Sequence, residues 1–300
     1  MATFQLAQVK SVGGGSIVGD FKGMYVTDVN GLYEKNGESW LRNGVIDDDV
    51  ASYPDAKTLL RETEYQDLGE FFSTAGEMAN GCASVEWDGT NFWVVDWIGD
   101  SVYKYDSVGA YTGTSISVNA QDATMQGIAW DGINFWLCGT NSNQIHKYTS
   151  AMSFISSHTP TGVTDPYGIC FDGTSLWIAS RATTSLVEFD LSMVATGSSL
   201  DTSGVGDMVG VSFNGGIFYI SDNAGEIYRL SDAGVLLDKV LTSASANAGS
   251  TFKDDKLYVA QTTIPYGIKE FIVPLAYPYV GIQSQDTDAS TGLPIYTRIK

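Results

Sequence analysis

Five segments of this chain share one pattern, in which an aromatic residue is followed by a polar turn and an apolar, aromatic-rich run. A second shared run follows each start after about fifteen residues and reads VYKYD, IHKYT, LVEFD, IYRLS and IKEFI in turn. Repetition at an interval of about 40 residues predicts a structure assembled from similar modules. The five starts are Trp87, Trp130, Phe171, Phe213 and Phe252.

Each repeat predicts a four-stranded antiparallel sheet. The pairs Asp88-Gly89, Asn214-Gly215 and Asp254-Asp255 separate two apolar runs, and we interpret such pairs as hairpin turns of type I′, which require positive φ. The runs VYKYD and IHKYT alternate with the period of two that is expected for a strand with one polar face. Four strands in about 40 residues is the length of a β-propeller blade.

One such sheet cannot bury both of its faces, whereas five sheets packed radially can. We therefore expect an all-β chain in which large aromatic side chains fill the spaces between blades. These side chains are Trp87, Trp93, Trp130, Trp136, Trp177, Phe213 and Tyr219.

The stretch GIAWDGINFWLCGTNSNQIHKYT, residues 127–149, resembles NHL-like and related β-propeller repeats. The resemblance covers roughly residues 64–275. It implies a β-propeller fold and carries little information about function.

The last repeat lacks an obvious fourth strand, because its third strand ends just before Pro274. Residues 64–73, with the sequence EYQDLGEFFS, read as a single strand that precedes the first blade. We predict that these two parts complete one another, which closes the ring and removes an exposed sheet edge. This gives five four-stranded blades.

A count of six blades is the alternative. Met24–Asp28 followed by Leu32–Glu34 resembles Phe218–Asp222 followed by Ile227–Arg229, which would place a degenerate blade near residues 15–45. The distance from there to the first clear repeat is too long for one blade. We therefore predict a small N-terminal β-rich module at residues 1–63, the propeller at 64–275, and a C-terminal extension at 276–300.

Both ends resemble segments of tail-fibre and tail-tip proteins of tailed bacteriophages. The matching phrases are SWLRNGV with DDDVASYPDA near the N-terminus, and VGI with TDASTGLPIY near the C-terminus. The resemblance implies a virion protein, assembled in the host cytoplasm, whose N-terminal module serves in virion attachment. Its expected partners are other virion proteins, further copies of the same chain, and a host-surface glycan. The alternative from composition is that both ends are surface loops and edge strands.

The charge balance excludes two classes of partner. Acidic residues outnumber basic ones 35 to 16, for a net charge of −19, which repels nucleic acid and anionic lipid surfaces.

The apolar stretch Phe271–Ile282 is too short to span a bilayer and contains two prolines, so we expect no membrane insertion. The first ten residues lack the pattern of a signal peptide. The three cysteines are predicted to be buried free thiols.

The sequence offers no catalytic set. Its two histidines, His146 and His158, are predicted to lie at the surface, and no zinc-binding spacing, nucleophile elbow or phosphate-binding loop is present. We therefore expect a non-enzymatic protein with no catalytic residue and no cofactor, with calcium as the one candidate ion. Asp286, Asp288, Ser290 and Gly292 resemble part of an oxygen-rich calcium loop, although an Asx-rich turn is the simpler interpretation.

The loops that join blades and the loops that join second to third strands share one face of a propeller. Their carboxylates, amides and aromatic rings suit a sugar or a calcium ion. The acidic character of this face also motivates the alternative function, a calcium-dependent hydrolase or a glycan-cleaving propeller enzyme. The ligand-binding candidates are Asp96, Trp97, Asp100, Asp165, Arg181, Asp222, Asn223 and Tyr266.

Overall fold

The computed structural model describes residues 66–78, 81–241, 247–263 and 266–273, together with eight backbone strands nearer the termini. The chain divides into two compact units, one comprising residues 65–275 and the other residues 1–64 with 276–300. The larger unit is an all-β five-bladed propeller with four antiparallel strands in each blade.

The second unit contains strands that pair locally. A short hairpin is formed by β1 (Ser11–Val12) and β2 (Ser16–Ile17), and a second one by β27 (Gly281–Thr287) and β28 (Pro294–Arg298). A four-stranded sheet lies between them in the sequence. It consists of β3 (Tyr25–Asp28), β4 (Gly31–Asn36), β5 (Ser39–Arg42) and β6 (Val45–Ile46). This sheet covers the segment of the alternative sixth blade, but it belongs to the second unit and the ring has five blades.

The propeller follows the predicted repeat, with the innermost strand of each blade first in sequence. Blade 1 consists of β8 (Cys82–Trp87), β9 (Phe92–Asp96), β10 (Ser101–Tyr105) and β11 (Tyr111–Ser117). Blade 2 consists of β12 (Met125–Trp130), β13 (Asn134–Gly139), β14 (Gln144–Thr149) and β15 (Phe154–His158). Blade 3 consists of β16 (Pro166–Phe171), β17 (Leu176–Ser180), β18 (Ser185–Phe189) and β19 (Ala195–Asp201). Blade 4 consists of β20 (Met208–Asn214), β21 (Ile217–Asp222), β22 (Glu226–Ser231) and β23 (Leu236–Leu241).

The fifth blade confirms the predicted ring closure. Its first three strands are β24 (Asn247–Lys253), β25 (Lys256–Gln261) and β26 (Gly267–Ile272), and its outer strand is β7 (Gln66–Ser73), which precedes blade 1. Ile268 lies opposite Phe72 in this antiparallel pair. The chain thus closes the ring by pairing strands that are about 200 residues apart in the sequence. Because β7 pairs with β26, β26 is not left as an exposed edge of the last blade.

The blades pack face to face through the aromatic side chains that the repeat predicts. Trp93 packs with Phe135 between blades 1 and 2, their ring centroids 5.0 Å apart, and Trp177 packs with Phe218 between blades 3 and 4 at 5.0 Å. Tyr219 contacts Phe252 across blades 4 and 5 at 4.7 Å. The apolar cores therefore lie between neighbouring sheets.

Small residues allow the five inner strands to approach one another at the axis. A Cβ atom added to Gly127 would lie 2.6 Å from the carbonyl oxygen of Tyr167 on the next blade, and one added to Gly210 would lie 2.5 Å from the Cα atom of Gly249. Five narrow sheets can close a ring only where the backbones come this near. The five equivalent positions hold Ser84, Gly127, Gly168, Gly210 and Gly249.

The prediction of type I′ turns is wrong for blades 1 to 3 and correct for blade 5. In blade 4 the two-residue turn is Gly215-Gly216, with both residues at positive φ, rather than the predicted Asn214-Gly215. In blade 1, Trp87 pairs with Phe92, so the turn has four residues, and within it Gly89 has positive φ but Asp88 does not. Blade 5 has the two-residue turn Asp254-Asp255, with both residues at positive φ. The turns of blades 1 to 3 have four residues rather than two because, in each of them, one aspartate carboxylate accepts hydrogen bonds from two backbone N–H groups of the turn.

In each of the first three turns one aspartate makes the same three hydrogen bonds. Asp131 Oδ1 accepts from the N–H groups of Ile133 and Asn134 at 2.8 and 2.6 Å, and its Oδ2 accepts from Trp136 Nε1 at 2.7 Å. Asp88 and Asp172 do the same in blades 1 and 3. The Asp-Gly-x-x-x-Trp spacing thus encodes a capped turn tied to a buried indole.

Two other predictions can be compared with the described residues. Cys82, Cys138 and Cys170 are buried free thiols, as predicted. Among the described residues, the structure contains no helix with the length and apolar character that crossing a bilayer requires.

Candidate functional site

The top face is the end of the propeller where second strands meet third strands and where one blade passes to the next. Antiparallel pairing brings both kinds of loop to the same end of every sheet. The described parts of these loops are residues 74–78, 81, 97–100, 118–124, 140–143, 159–165, 181–184, 202–207, 223–225, 262–263 and 266.

The top face is strongly acidic. Arg181 is the only lysine or arginine in those loop residues, whereas they contain Glu77, Asp100, Asp122, Asp165 and Asp207. Such a surface attracts cations and repels anions. Its ligands are therefore expected to be neutral or positively charged.

Arg181 and its neighbours form a polar group on the top face that is held by hydrogen bonds and ring stacking. The guanidinium donates to both carboxylate oxygens of Asp207, and it stacks over the ring of Tyr167 with 4.6 Å between Cζ and the ring centroid. The hydrogen bond to Asp207 is the main cause of the raised pKa of Arg181. Tyr167 and Arg181 are partly buried and Asp207 is exposed, so a ligand from solvent can reach the group.

Backbone hydrogen bonds bring further predicted candidates to this group. The N–H of Arg181 donates to the carbonyl of Asp165 at 3.2 Å, and the N–H of Asn223 donates to the carbonyl of Asp207 at 3.0 Å. Asp165, Arg181 and Asn223 therefore lie together around Tyr167 and Asp207. We call these five residues the Arg181 cluster.

Asp96 and Asp222 have a different role from the one the sequence suggested. Both are buried, and each accepts two backbone hydrogen bonds at its own corner. Asp96 accepts from the N–H groups of Ile98 and Gly99. Asp222 accepts from the N–H groups of Ala224 in the loop and Glu226 at the start of β22. They close the corners of blades 1 and 4. Trp97, next to Asp96, is exposed, as is Ile98 in the same corner.

Asp100 and Tyr266 complete the predicted set. Asp100 Oδ2 accepts from Asn119 at 2.9 Å, while burial and the nearby carboxylates of Asp96 and Asp122 raise the pKa of Asp100. Tyr266 is partly buried, and a Cβ atom on Gly81 would lie 3.2 Å from its ring. The eight candidates thus include one compact group in blades 3 and 4, and separate positions in blades 1 and 5.

Blade 2 contains a polar group that the sequence analysis missed. Where blades 1 and 4 have Asp96 and Asp222, it has Gly139, and a Cβ atom there would lie within 2.6 to 2.8 Å of Asp122 Oδ2, His146 Nε2 and Ser142 Oγ. Three functional groups from three segments therefore occupy the space next to a glycine. The signal available in the repeat was the glycine itself, because the other four blades have a polar side chain at this position.

The prediction that His146 lies at the surface is wrong. Its side chain is 1% exposed, and its Nδ1 lies 2.8 Å from Oγ of Ser157, its partner on the neighbouring strand β15. Burial lowers the pKa of His146, and the charge of Asp122 acts in the opposite direction. His158 is partly buried, at the end of β15 rather than in a loop.

Glu86 is a second departure from the repeat, on the innermost strand of blade 1. The equivalent positions in the other blades hold Ala129, Cys170, Ser212 and Thr251. Burial raises the pKa of Glu86 to about 8, although the Trp130 N–H and the Thr251 hydroxyl donate to the carboxylate. Its carboxyl group lies at the junction of blades 5, 1 and 2.

No three His, Cys, Asp or Glu side chains come close enough to share a metal ion in the part of the chain that the structure describes. The candidate calcium loop is only partly covered, because residues 288–293 lie outside the described residues and Asp286 is described as backbone alone.

Comparison with known proteins supports the fold. No family model and no curated protein matches the sequence. Among solved structures, the chain is similar to a glutaminyl cyclase from Myxococcus xanthus, with 10% identity and a TM-score of 0.56 over 69% of this chain and 95% of that one. It is also similar to a luciferin-regenerating enzyme, with 12% identity and a TM-score of 0.51 over 70% of this chain and 96% of that one. At these identities the likeness shows the β-propeller fold alone.

Proposed function

We propose that the Arg181 cluster on the top face of this chain is a non-enzymatic binding site that recognises a neutral or amine-bearing ligand, such as a glycan. The observation that carries the proposal is the Arg181 cluster, an ordered aromatic and polar group that solvent can reach on an acidic surface. Aromatic rings stack on sugar rings, and carboxylates and amides accept or donate hydrogen bonds to sugar hydroxyls.

Charge selects among glycans. Arg181 is already paired with Asp207, so the cluster offers no unpaired cation to an anionic sugar. The surrounding aspartates disfavour sialic or uronic acids and favour neutral sugars or hexosamines. Exposed Trp97 provides a second aromatic surface on the same face.

The resemblance of the two chain ends to phage tail proteins supports a place in a virion, with the ends attached to other virion proteins and several copies of the chain present. Mass spectrometry of purified particles, combined with immunogold labelling, tests this part. Label at the tail tip or fibres is expected. Absence of the chain from the particle would contradict it.

The binding part is tested on a glycan array with the full chain. We expect signal on neutral or amino sugars, lost in Tyr167→Ala and retained in Ile133→Ala, which alters an exposed residue in a turn on the opposite face. Binding confined to sialylated or uronic glycans, or binding that Tyr167→Ala leaves intact, would contradict the proposal.

A further inference from the structure

The polar group in blade 2 has the arrangement of a nucleophile beside a base. Ser142 Oγ lies 3.2 Å from His146 Nε2, and His146 Nδ1 lies 2.8 Å from Ser157 Oγ. A hydroxyl within hydrogen-bonding distance of an imidazole, whose other nitrogen is held by a third group, is the pattern found in serine nucleophiles. Ser142 is exposed while His146 is buried, so a substrate can reach the hydroxyl but not displace the ring.

We propose that Ser142 is a reactive nucleophile, with His146 as its general base, and that it is acylated by neutral carboxylic esters with a small acyl group. This site is separate from the Arg181 cluster. It goes beyond the proposed binding function and stands or falls independently of it.

The protonation state of His146 suits a base. Burial lowers its pKa, so the ring is neutral at pH 7 and can accept a proton at Nε2 when Nδ1–H donates to Ser157. The charged groups that act on it are Asp122 and His158. Asp122 raises the pKa and thus stabilises the imidazolium that forms when Ser142 loses its proton, whereas His158 lowers it.

The local backbone holds the hydroxyl in place. The N–H of Ser142 donates to Asp122 Oδ2 at 2.6 Å, and Asp122 Oδ1 accepts from the N–H of Thr124 at 2.7 Å. Asp122 thereby fixes the corner on which Ser142 sits. Its negative charge also disfavours anionic substrates, which is why the proposed esters are neutral.

The proposed step is balanced as an acyl transfer. The Ser142 Oγ–carbon bond forms and the ester carbon–oxygen bond breaks, while the hydroxyl proton passes to His146 Nε2 and then to the leaving oxygen. Water then attacks the acyl carbon and His146 Nε2 takes a proton from it. His146 passes this proton to Ser142 Oγ as the bond between Oγ and the acyl carbon breaks, so the carboxylic acid leaves and the Ser142 hydroxyl is regenerated.

Blade 3 provides an internal control. Thr183 occupies the position equivalent to Ser142, in a corner of the same length, but the position equivalent to His146 is Val187. The Thr183 hydroxyl instead contacts Ser180 and Ser185, at 2.6 and 2.9 Å. Thr183→Ser therefore creates a serine in the same kind of corner without a base.

The test is acetylation by p-nitrophenyl acetate, with the modified residue located by peptide mass spectrometry. We expect an acetyl group on Ser142, no release above background in Ser142→Ala, and a rate at residue 142 at least about a hundredfold lower in His146→Gln. Because His146 is buried, His146→Gln is compared with wild type only if its Tm shows that the variant folds. Ser142→Ala alters an exposed side chain, so its comparison with wild type does not depend on a folding control.

Two results would overturn the proposal. One is acetylation of wild-type Ser142 no faster than that of the serine introduced by Thr183→Ser. The other is a rate of nitrophenol release that is the same in Ser142→Ala and wild type.

Discussion

The capped turns on the bottom of the propeller and the corners on its top face differ in how far they follow the repeat. In blades 1 to 3 the bottom turns have one aspartate that makes the same three hydrogen bonds each time. The last residue of each second strand, where the top corner begins, is instead aspartate in blades 1 and 4 and a different residue in each of the other three blades. These positions hold Asp96, Gly139, Ser180, Asp222 and Gln261.

The difference separates a framework from a variable surface. A hydrogen-bonding pattern that recurs in successive blades is explained by the need to build a blade. The corner position holds a carboxylate in some blades and a hydroxyl, an amide or no side chain in others. Such a position is free to acquire contacts that are specific to one blade. We therefore place stability mainly in the turns, inner strands and inter-blade cores, and recognition on the top face.

The largest effect is expected from Trp136→Ala in the framework. Trp136 is fully buried between blades 2 and 3, and its indole is the partner of Asp131. The substitution should lower the free energy of unfolding by about 3–5 kcal/mol, measured by urea denaturation.

The matched control is Trp97→Ala on the top face. Trp97 is 36% exposed, so its removal should cost less than about 1 kcal/mol. Equal losses in the two variants would contradict the division into framework and surface.

Glu86→Gln should reveal a weak point within the framework. The folded-state pKa of Glu86, about 8, lies above its ordinary value of 4.5, so the folded protein holds this proton where the unfolded chain has lost it. As pH rises from 4.5 to 8, wild type should therefore lose stability relative to Glu86→Gln, by on the order of 3 kcal/mol. The measurement is the difference in unfolding free energy between the two proteins at pH 4.5 and pH 8.5. A difference that does not change with pH would contradict the raised pKa of Glu86.

The glycines at the axis should be sensitive as well. An added Cβ in Gly210→Ala would lie 2.5 Å from the Gly249 Cα, a backbone atom that no side-chain rotation can move, so a loss of about 2 kcal/mol is expected. At Gly204, in a top-face loop, the nearest atom to an added Cβ is 3.7 Å away. Gly204→Ala should change Tm little, and a larger loss there than at Gly210 would contradict the account.

The smallest effect compares two aspartates that cap loops on opposite faces. In Asp131→Asn the amide can still accept from the backbone, but its NH₂ group would meet the Trp136 N–H donor, at a cost of about 1 kcal/mol. Asp96 accepts through Oδ1 from two N–H groups, which asparagine can also do. Thermal melts should therefore show a lower Tm for Asp131→Asn than for Asp96→Asn, and the reverse order would be inconsistent with the structure.

The sequence predicted most of the fold because the fold is periodic. The five starts from Trp87 to Phe252 were enough to give the blades, and the unpaired strand before blade 1 gave the ring closure. A further sign that β7 is an outer strand is Gly69, which has positive φ and lies next to a register shift. Gly113 and Gly197 have the same two properties on the outer strands of blades 1 and 3. The prediction of type I′ turns failed in blades 1 to 3, because one carboxylate that caps two N–H groups changes the length of the turn. The Asp-Gly dipeptide alone does not encode this length.

The candidate site was harder to predict, because loop residues that share a face need not share a site. The sequence placed Asp96 and Asp165 in the same class, yet the first is buried as a corner cap and the second joins the Arg181 cluster. The group around Gly139 was missed because it depends on Asp122 entering from the preceding loop. Contacts between separate segments of this kind arise from packing and have no local pattern.

The most direct test of the central claim measures binding and stability in the same two variants of the full chain, using the glycan that the array identifies. The account predicts that Tyr167→Ala raises Kd at least about tenfold, which corresponds to 1.4 kcal/mol, with Tm nearly unchanged. It predicts that Asp131→Asn lowers Tm and leaves Kd nearly unchanged. A loss of binding in Asp131→Asn at temperatures where it remains folded, together with unchanged binding in Tyr167→Ala, would contradict the assignment of recognition to the top face.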